Sequence, residues 1–238
     1  MDYWDHFGIE HLSFLALIAL VITGVLFVSS RVRDDIHGDA FMRFLAVLLF
    51  ICEITQDVIL IRQGWQIRDT LPLHLCNLGI FVNLPATFGK RDSRLVIFFS
   101  EISAMLILPG ALGALLFPDW NYRPILSWLP IMCFFTHMLE VLIPLLLITR
   151  GRARITTVHF WYSYAFLGAI VPFIWLLDKK LDVNYMFLMT PTSDSPLKWV
   201  SDLTGADLYL LGLALLLAGV LAAEYSVACI VRRIQHRN

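Results

Sequence analysis

The 238 residues are 58% hydrophobic and only 16% charged, with a mean hydropathy of +0.73, well to the apolar side of soluble domains. A formal net charge of -1 and a pI near 6.6 give no support to nucleic-acid binding, which needs a basic face to neutralise phosphates. Four cysteines, Cys52, Cys76, Cys133 and Cys229, lie in apolar segments without C-x-x-C pairing, so neither a zinc framework nor secreted-type disulfides are expected.

Hydrocarbon about 30 Å thick requires roughly 20 apolar helical residues. The chain offers seven such runs, at residues 12–30, 44–61, 71–88, 95–117, 125–148, 155–177 and 208–231. The first follows MDYWDHFGIEH, which lacks the positive region of a cleavable leader, so it is expected to be a retained helix. Separators such as GKRDSR and TRGRAR gather positive charge. With the N-terminus outside, the inner segments hold twelve Lys and Arg, among them Arg33, Arg91, Arg150, Arg152, Arg154, Arg232, Arg233 and Arg237, against six in the outer segments. Cytoplasmic loops carry such an excess. The spacing therefore predicts an all-α, polytopic membrane protein: one domain over 1–238, seven transmembrane helices, N-terminus out and C-terminus in. Residues 178–207 form a long outer loop whose aromatic and apolar content predicts packing onto the bundle. Ala214, Ala218 and Ala222 predict a close helix seam in the last span.

Ionisable groups inside spans are costly, and each is a candidate for function. The second span carries Glu53, Gln56 and Asp57 at i, i+3 and i+4, one stripe facing the bundle. The third opens with TLPLHLCN, which gathers His74, Cys76 and Asn77; His74, two residues from Cys76, faces elsewhere on a helix. In the fifth, Cys133, His137 and Glu140 share a face. A buried thiol needs a base before it can attack. Spacing leaves two pairings open, Cys76 with His137 across helices and Cys133 with His137 along one. The same carboxylate and histidine interior also suits a transporter or small-ligand binder, which would depend on Glu53 or Asp57 and not on Cys76. The last span has no lysine, which sets aside a retinal photoreceptor. No cofactor is expected, and the spacing of His74 and Cys76 matches no known zinc motif.

LPLHLCN in the third span, FFTHMLE in the fifth and NYMFLMTP in the long loop together resemble the YwaF family of bacterial integral membrane proteins, related to animal transmembrane protein 164. The resemblance runs from helix two to helix seven. It implies a seven-helix acyltransferase that remodels phospholipids by carrying an acyl chain on a cysteine with help from a histidine. Carried onto this sequence, the nucleophile falls on Cys76 and the base on His137. The related androgen-induced membrane hydrolases use a threonine with a histidine, and Cys76 favours the cysteine version. On this reading Asn77, or backbone N–H groups at the head of helix three, would stabilise an oxyanion. His74, Glu140, Glu53 and Asp57 would support the site, and Asn184 and Tyr185 would bind a headgroup or close it. The implied partners are membrane phospholipid and lysophospholipid, and the implied location is the bacterial cytoplasmic membrane.

Overall fold

A computed structural model describes residues 3–32, 35–153, 155–156, 159–193 and 195–235. Arg33, Arg154 and Arg237 of the charge count, the side chains of Arg232 and Arg233, and positions 157–158 and 194 of the predicted sixth span and long loop lie outside the described residues. Helix accounts for 76% of the chain, and no strand occurs among the described residues, so the class is all-α. The chain divides into two units, Met1–Arg154 and Ile155–Asn238.

The first unit contains α1 (Ile9–Arg31), α2 (Asp35–Arg62), α3 (Gly79–Phe88), α4 (Arg94–Ile102), α5 (Leu108–Leu116) and α6 (Trp128–Thr149). The second contains α7 (Phe160–Leu181), α8 (Pro196–Thr204) and α9 (Tyr209–Gln235). Among the described residues, six stretches are long and apolar enough to cross a bilayer: Ile9–Arg31, Asp35–Arg62, Arg94–Leu116, Trp128–Thr149, Trp161–Leu181 and Ala206–Ile230. Each overlaps a predicted span.

The third predicted span, 71–88, is different. Only its second half is the helix α3, and residues 75–78 before it are turns. Pro72 supplies no N–H and drives Leu71 out of the helical region. The chain instead passes through a tight turn at Leu71–Leu73 and two short turns that close on Gly79 and Ile80.

α6 is the centre of the first unit. It packs against α1, α2, α3 and α5 and buries residues all round its circumference, from Pro130 to Leu147. By contrast α1 buries only His11, Ile18 and Ile22; an apolar helix exposed on every other face is one clothed by lipid. α4 runs into α5 through a π-helical turn at Ser103–Ile107. Pro109 cannot donate to the carbonyl of Met105, so the ladder widens just ahead of it.

Contacts identify the two ends of this unit. At one, the N-terminal segment is tied to the loop before α6: Trp4 Nε1 donates to the Arg123 carbonyl at 3.0 Å, and the Tyr3 N–H donates to Asn121 at 2.9 Å. At the other, Arg152 binds Asp39 of α2 through two nitrogens and also reaches the carbonyls of Ala86 and Gly89, where α3 ends. Arg91 pairs with Asp35 at 2.9 Å and also donates to the Arg150 carbonyl.

In the second unit, α8 lies close against α9. A Cβ on Gly212 would meet Val200 Cγ1 at 2.5 Å, so the close approach is at Gly212. Ala214 and Ala222 of the expected seam are exposed.

Candidate functional site

The site lies between α2 and the middle turns of α6. Cys76 sits in the turn ahead of α3, whereas His137 and Glu140 lie one turn apart on α6, and the three side chains bring Sγ, a ring nitrogen and a carboxylate oxygen within 4.8 Å of one another. Gly79 makes the approach possible: a Cβ there would stand 2.8 Å from Glu140 Oε1 and 3.1 Å from Ile107 Cγ2. The irregular chain at 70–78 thus has a positional consequence. A regular helix from residue 71 would fix the directions of His74, Cys76 and Asn77 by the 3.6-residue period, and the turns release them from it.

Tautomer and orientation follow from the hydrogen bonds. His137 Nδ1–H donates to the carbonyl of Cys133 at 2.7 Å, one turn back on its own helix. That leaves Nε2 with the lone pair, able to take a proton. Trp120 lies over the ring, with centroids 5.1 Å apart and planes 30° from parallel. Trp120 is 6% exposed and screens the imidazole from water.

The Cys76 thiol faces Asn77 Oδ1 at 3.7 Å, while Asn77 Nδ2 donates to Glu53 Oε2 at 2.7 Å. Glu53, 2% exposed, therefore fixes the amide with its oxygen toward sulfur. In this arrangement Asn77 positions the thiol, and only its second amide hydrogen stays available to an oxyanion. Glu140 is 1% exposed and neither of its oxygens has a hydrogen-bond partner. A buried carboxylate without partners carries a desolvation cost that nothing nearby offsets.

Of the two thiol–imidazole pairings that spacing left open, the geometry assembles Cys76 with His137. Cys133 turns its sulfur toward Gln56 Oε1 at 3.9 Å and meets His137 only through its carbonyl. Asp57 is half-buried on α2 and flanks Glu53. His74 lies near enough to His137 for the two rings to interact electrostatically. Asn184 and Tyr185 belong to the second unit. The Asn184 amide donates to the Thr190 carbonyl and hydroxyl at 2.8 and 2.9 Å, and its oxygen accepts from the Met189 N–H at 2.9 Å, so its polar atoms close their own loop. Tyr185 is buried, and its N–H donates to Asp178 at 2.9 Å. Gly79 and Trp120 were not singled out from the sequence. Trp120, an aromatic in the polar loop PDWNYRP, carried the only local signal.

The model of the TMEM164 family matches residues 6–225. The chain belongs to the TMEM164 family. The match takes in every element of the site, from Glu53 to Glu140, and with the six apolar helices it makes this TMEM164-family chain a multi-pass membrane protein. No curated protein and no solved structure matches the chain.

Proposed function

We propose that the protein is a membrane acyltransferase of the bacterial YwaF branch, which moves an acyl chain from a glycerophospholipid through a Cys76 thioester to a lipid acceptor. The observation that carries this reading is a half-buried thiol within 4.8 Å of an imidazole nitrogen, on a ring whose Nδ1 is held by a backbone carbonyl. Catalytic hydrogen bonds are often long before substrate binds, and a rotamer change closes this gap. His137 takes the thiol proton and the thiolate adds to the ester carbonyl. The carbon–oxygen bond then breaks, and the lysophospholipid leaves with the proton from His137. A lipid hydroxyl, deprotonated by the same imidazole, attacks the thioester and restores the thiol. Backbone N–H groups of the turn at Cys76–Asn77 and the second Asn77 amide hydrogen would stabilise the developing oxyanion. Exclusion of water by Trp120 and the surrounding bilayer favours a lipid alcohol over hydrolysis.

The same reading takes residues 71–88 as a third crossing, giving seven, with the N-terminus outside the cytoplasmic membrane. Irregular backbone at membrane depth is tolerated where protein covers it, and the end of α3 meets the beginning of α2 through Arg152. Cys76 then lies in the outer half of that crossing, beside the middle turns of α6.

The test is intact-protein mass spectrometry after incubation with phospholipid bearing one isotopically labelled acyl chain. A hydroxylamine-sensitive adduct is expected in wild type and not in Cys76→Ala. If lipid turnover and adduct are both absent in wild type, the reading fails, and a transporter or small-ligand binder using the Glu53, Asp57, His137 and Glu140 interior becomes the one to pursue.

A further inference from the structure

The acyl-transfer scheme uses Cys76 and His137 but leaves Glu140 with two buried, unpartnered oxygens beside them. In a nucleophile–base–orienter chain, a carboxylate would hold the second imidazole nitrogen. Here that position is taken by the Cys133 carbonyl, so Glu140 does not serve as the orienter. Sulfur, ring nitrogen and carboxylate oxygen form a triangle, each within 4.8 Å of the other two. Three donor atoms this close together, with a buried and unpartnered carboxyl group among them, describe a cation site.

We infer that Cys76, His137 and Glu140 bind a thiophilic divalent cation of the zinc class, and that its binding blocks the nucleophile. Sulfur, imidazole and carboxylate are the donor set that Zn²⁺ takes, at about 2.0–2.3 Å from the metal. Closing on an ion at those distances requires the donor atoms to draw together by less than the width of an atom. Nδ1 is already hydrogen-bonded to a backbone carbonyl, which is how a ligating histidine is usually oriented toward metal with its other nitrogen. On binding, the thiol hydrogen is released to solvent as a proton and the sulfur lone pair goes to the metal, with no change of oxidation state. A thiolate held in this way cannot add to an ester. The inhibitory part rests on the acyl-transfer reading, whereas the binding does not.

The experiment uses the full chain in lipid nanodiscs, washed with chelator and titrated with Co²⁺. One equivalent is expected to give a thiolate-to-cobalt charge-transfer band with visible ligand-field bands, all displaced by Zn²⁺. Cys76→Ser should lose the charge-transfer band. His137→Gln and Glu140→Gln should weaken binding by about a hundredfold or more, and Cys52→Ser should leave it unchanged. Size-exclusion profiles identify any variant that fails to fold, and Glu140→Gln preserves shape closely enough to decide the matter alone. In wild type, Zn²⁺ should suppress the labelled acyl adduct and chelator should restore it. Absence of the band in wild type, or its survival in Cys76→Ser, overturns the cation site whatever the adduct does. A band with no adduct under any metal condition leaves the site standing and removes acyl transfer. A band together with an adduct indifferent to Zn²⁺ overturns the inhibition.

Discussion

Two places in the first unit, the end where α2 begins and the pocket beside the middle of α6, each bury an ionisable group, and they treat it in opposite ways. Where α2 begins, Arg152 is 1% exposed, yet it bonds both carboxylate oxygens of Asp39 and the carbonyls of Ala86 and Gly89. On the middle turns of α6, Glu140 is equally buried and neither of its side-chain oxygens has a hydrogen-bond partner. The first arrangement is complete and so is structural: it fastens α2, α3 and the segment after α6 to one another. The second is incomplete, and an incomplete polar site inside a membrane is one kept for something that comes and goes, whether proton, substrate or ion.

Substitutions sharpen this contrast. The largest expected effect is on chemistry at the incomplete pocket. His137→Ala should slow formation of the labelled Cys76 adduct by about 10²- to 10⁴-fold, the span typical of losing a general base, while thermal unfolding in detergent stays close to wild type. A variant equally active at every pH would remove His137 from the mechanism. At the complete end the order reverses. Arg152→Met leaves Asp39 and two carbonyls without their donor, which should cost about 2–4 kcal/mol of stability, while the molecules that remain folded still form the adduct at the wild-type rate. Unfolding midpoints, with adduct rates normalised to folded protein, separate the two effects. If Arg152→Met silenced the chemistry without lowering stability, the division into a structural end and a functional pocket would collapse.

How far each place was legible in the sequence follows from the physics of its residues. Six spans were readable because hydropathy over about 20 residues is a property of composition alone. Pro72 signals the break in the third without deciding it, because its cost depends on whether neighbouring chain covers the exposed backbone. Arg152 read as one more charge in an inner loop. Gly151, at φ +67°, turns the chain back through a conformation that only glycine adopts easily, and the guanidinium ends inside the protein. In the pocket, residue types marked Cys76, His137, Glu140 and Glu53 as candidates. Spacing could not choose between Cys76 and Cys133, because the choice depends on a backbone carbonyl occupying Nδ1 of His137 and on Gly79 letting α3 approach Glu140. The cation triangle joins two segments some sixty residues apart, where no local motif can register.

The smallest effect is also the sharpest test of the comparison, because it places the same residue at both buried charges. Methionine is about as long as glutamate and needs no partner. In chelator-washed protein, Glu140→Met removes a carboxylate whose burial nothing offsets and should raise stability by about 1–3 kcal/mol, opposite in sign to Arg152→Met. The readout is the unfolding midpoint of both variants in one detergent. Adding Zn²⁺ then probes the cause of the gain. Wild type should be stabilised by mass action, and the methionine variant, lacking a ligand, should respond far less, so the gap between them narrows or inverts. If Glu140→Met is instead destabilising without metal, Glu140 is already satisfied in the membrane, and the two places differ in chemistry but not in completeness.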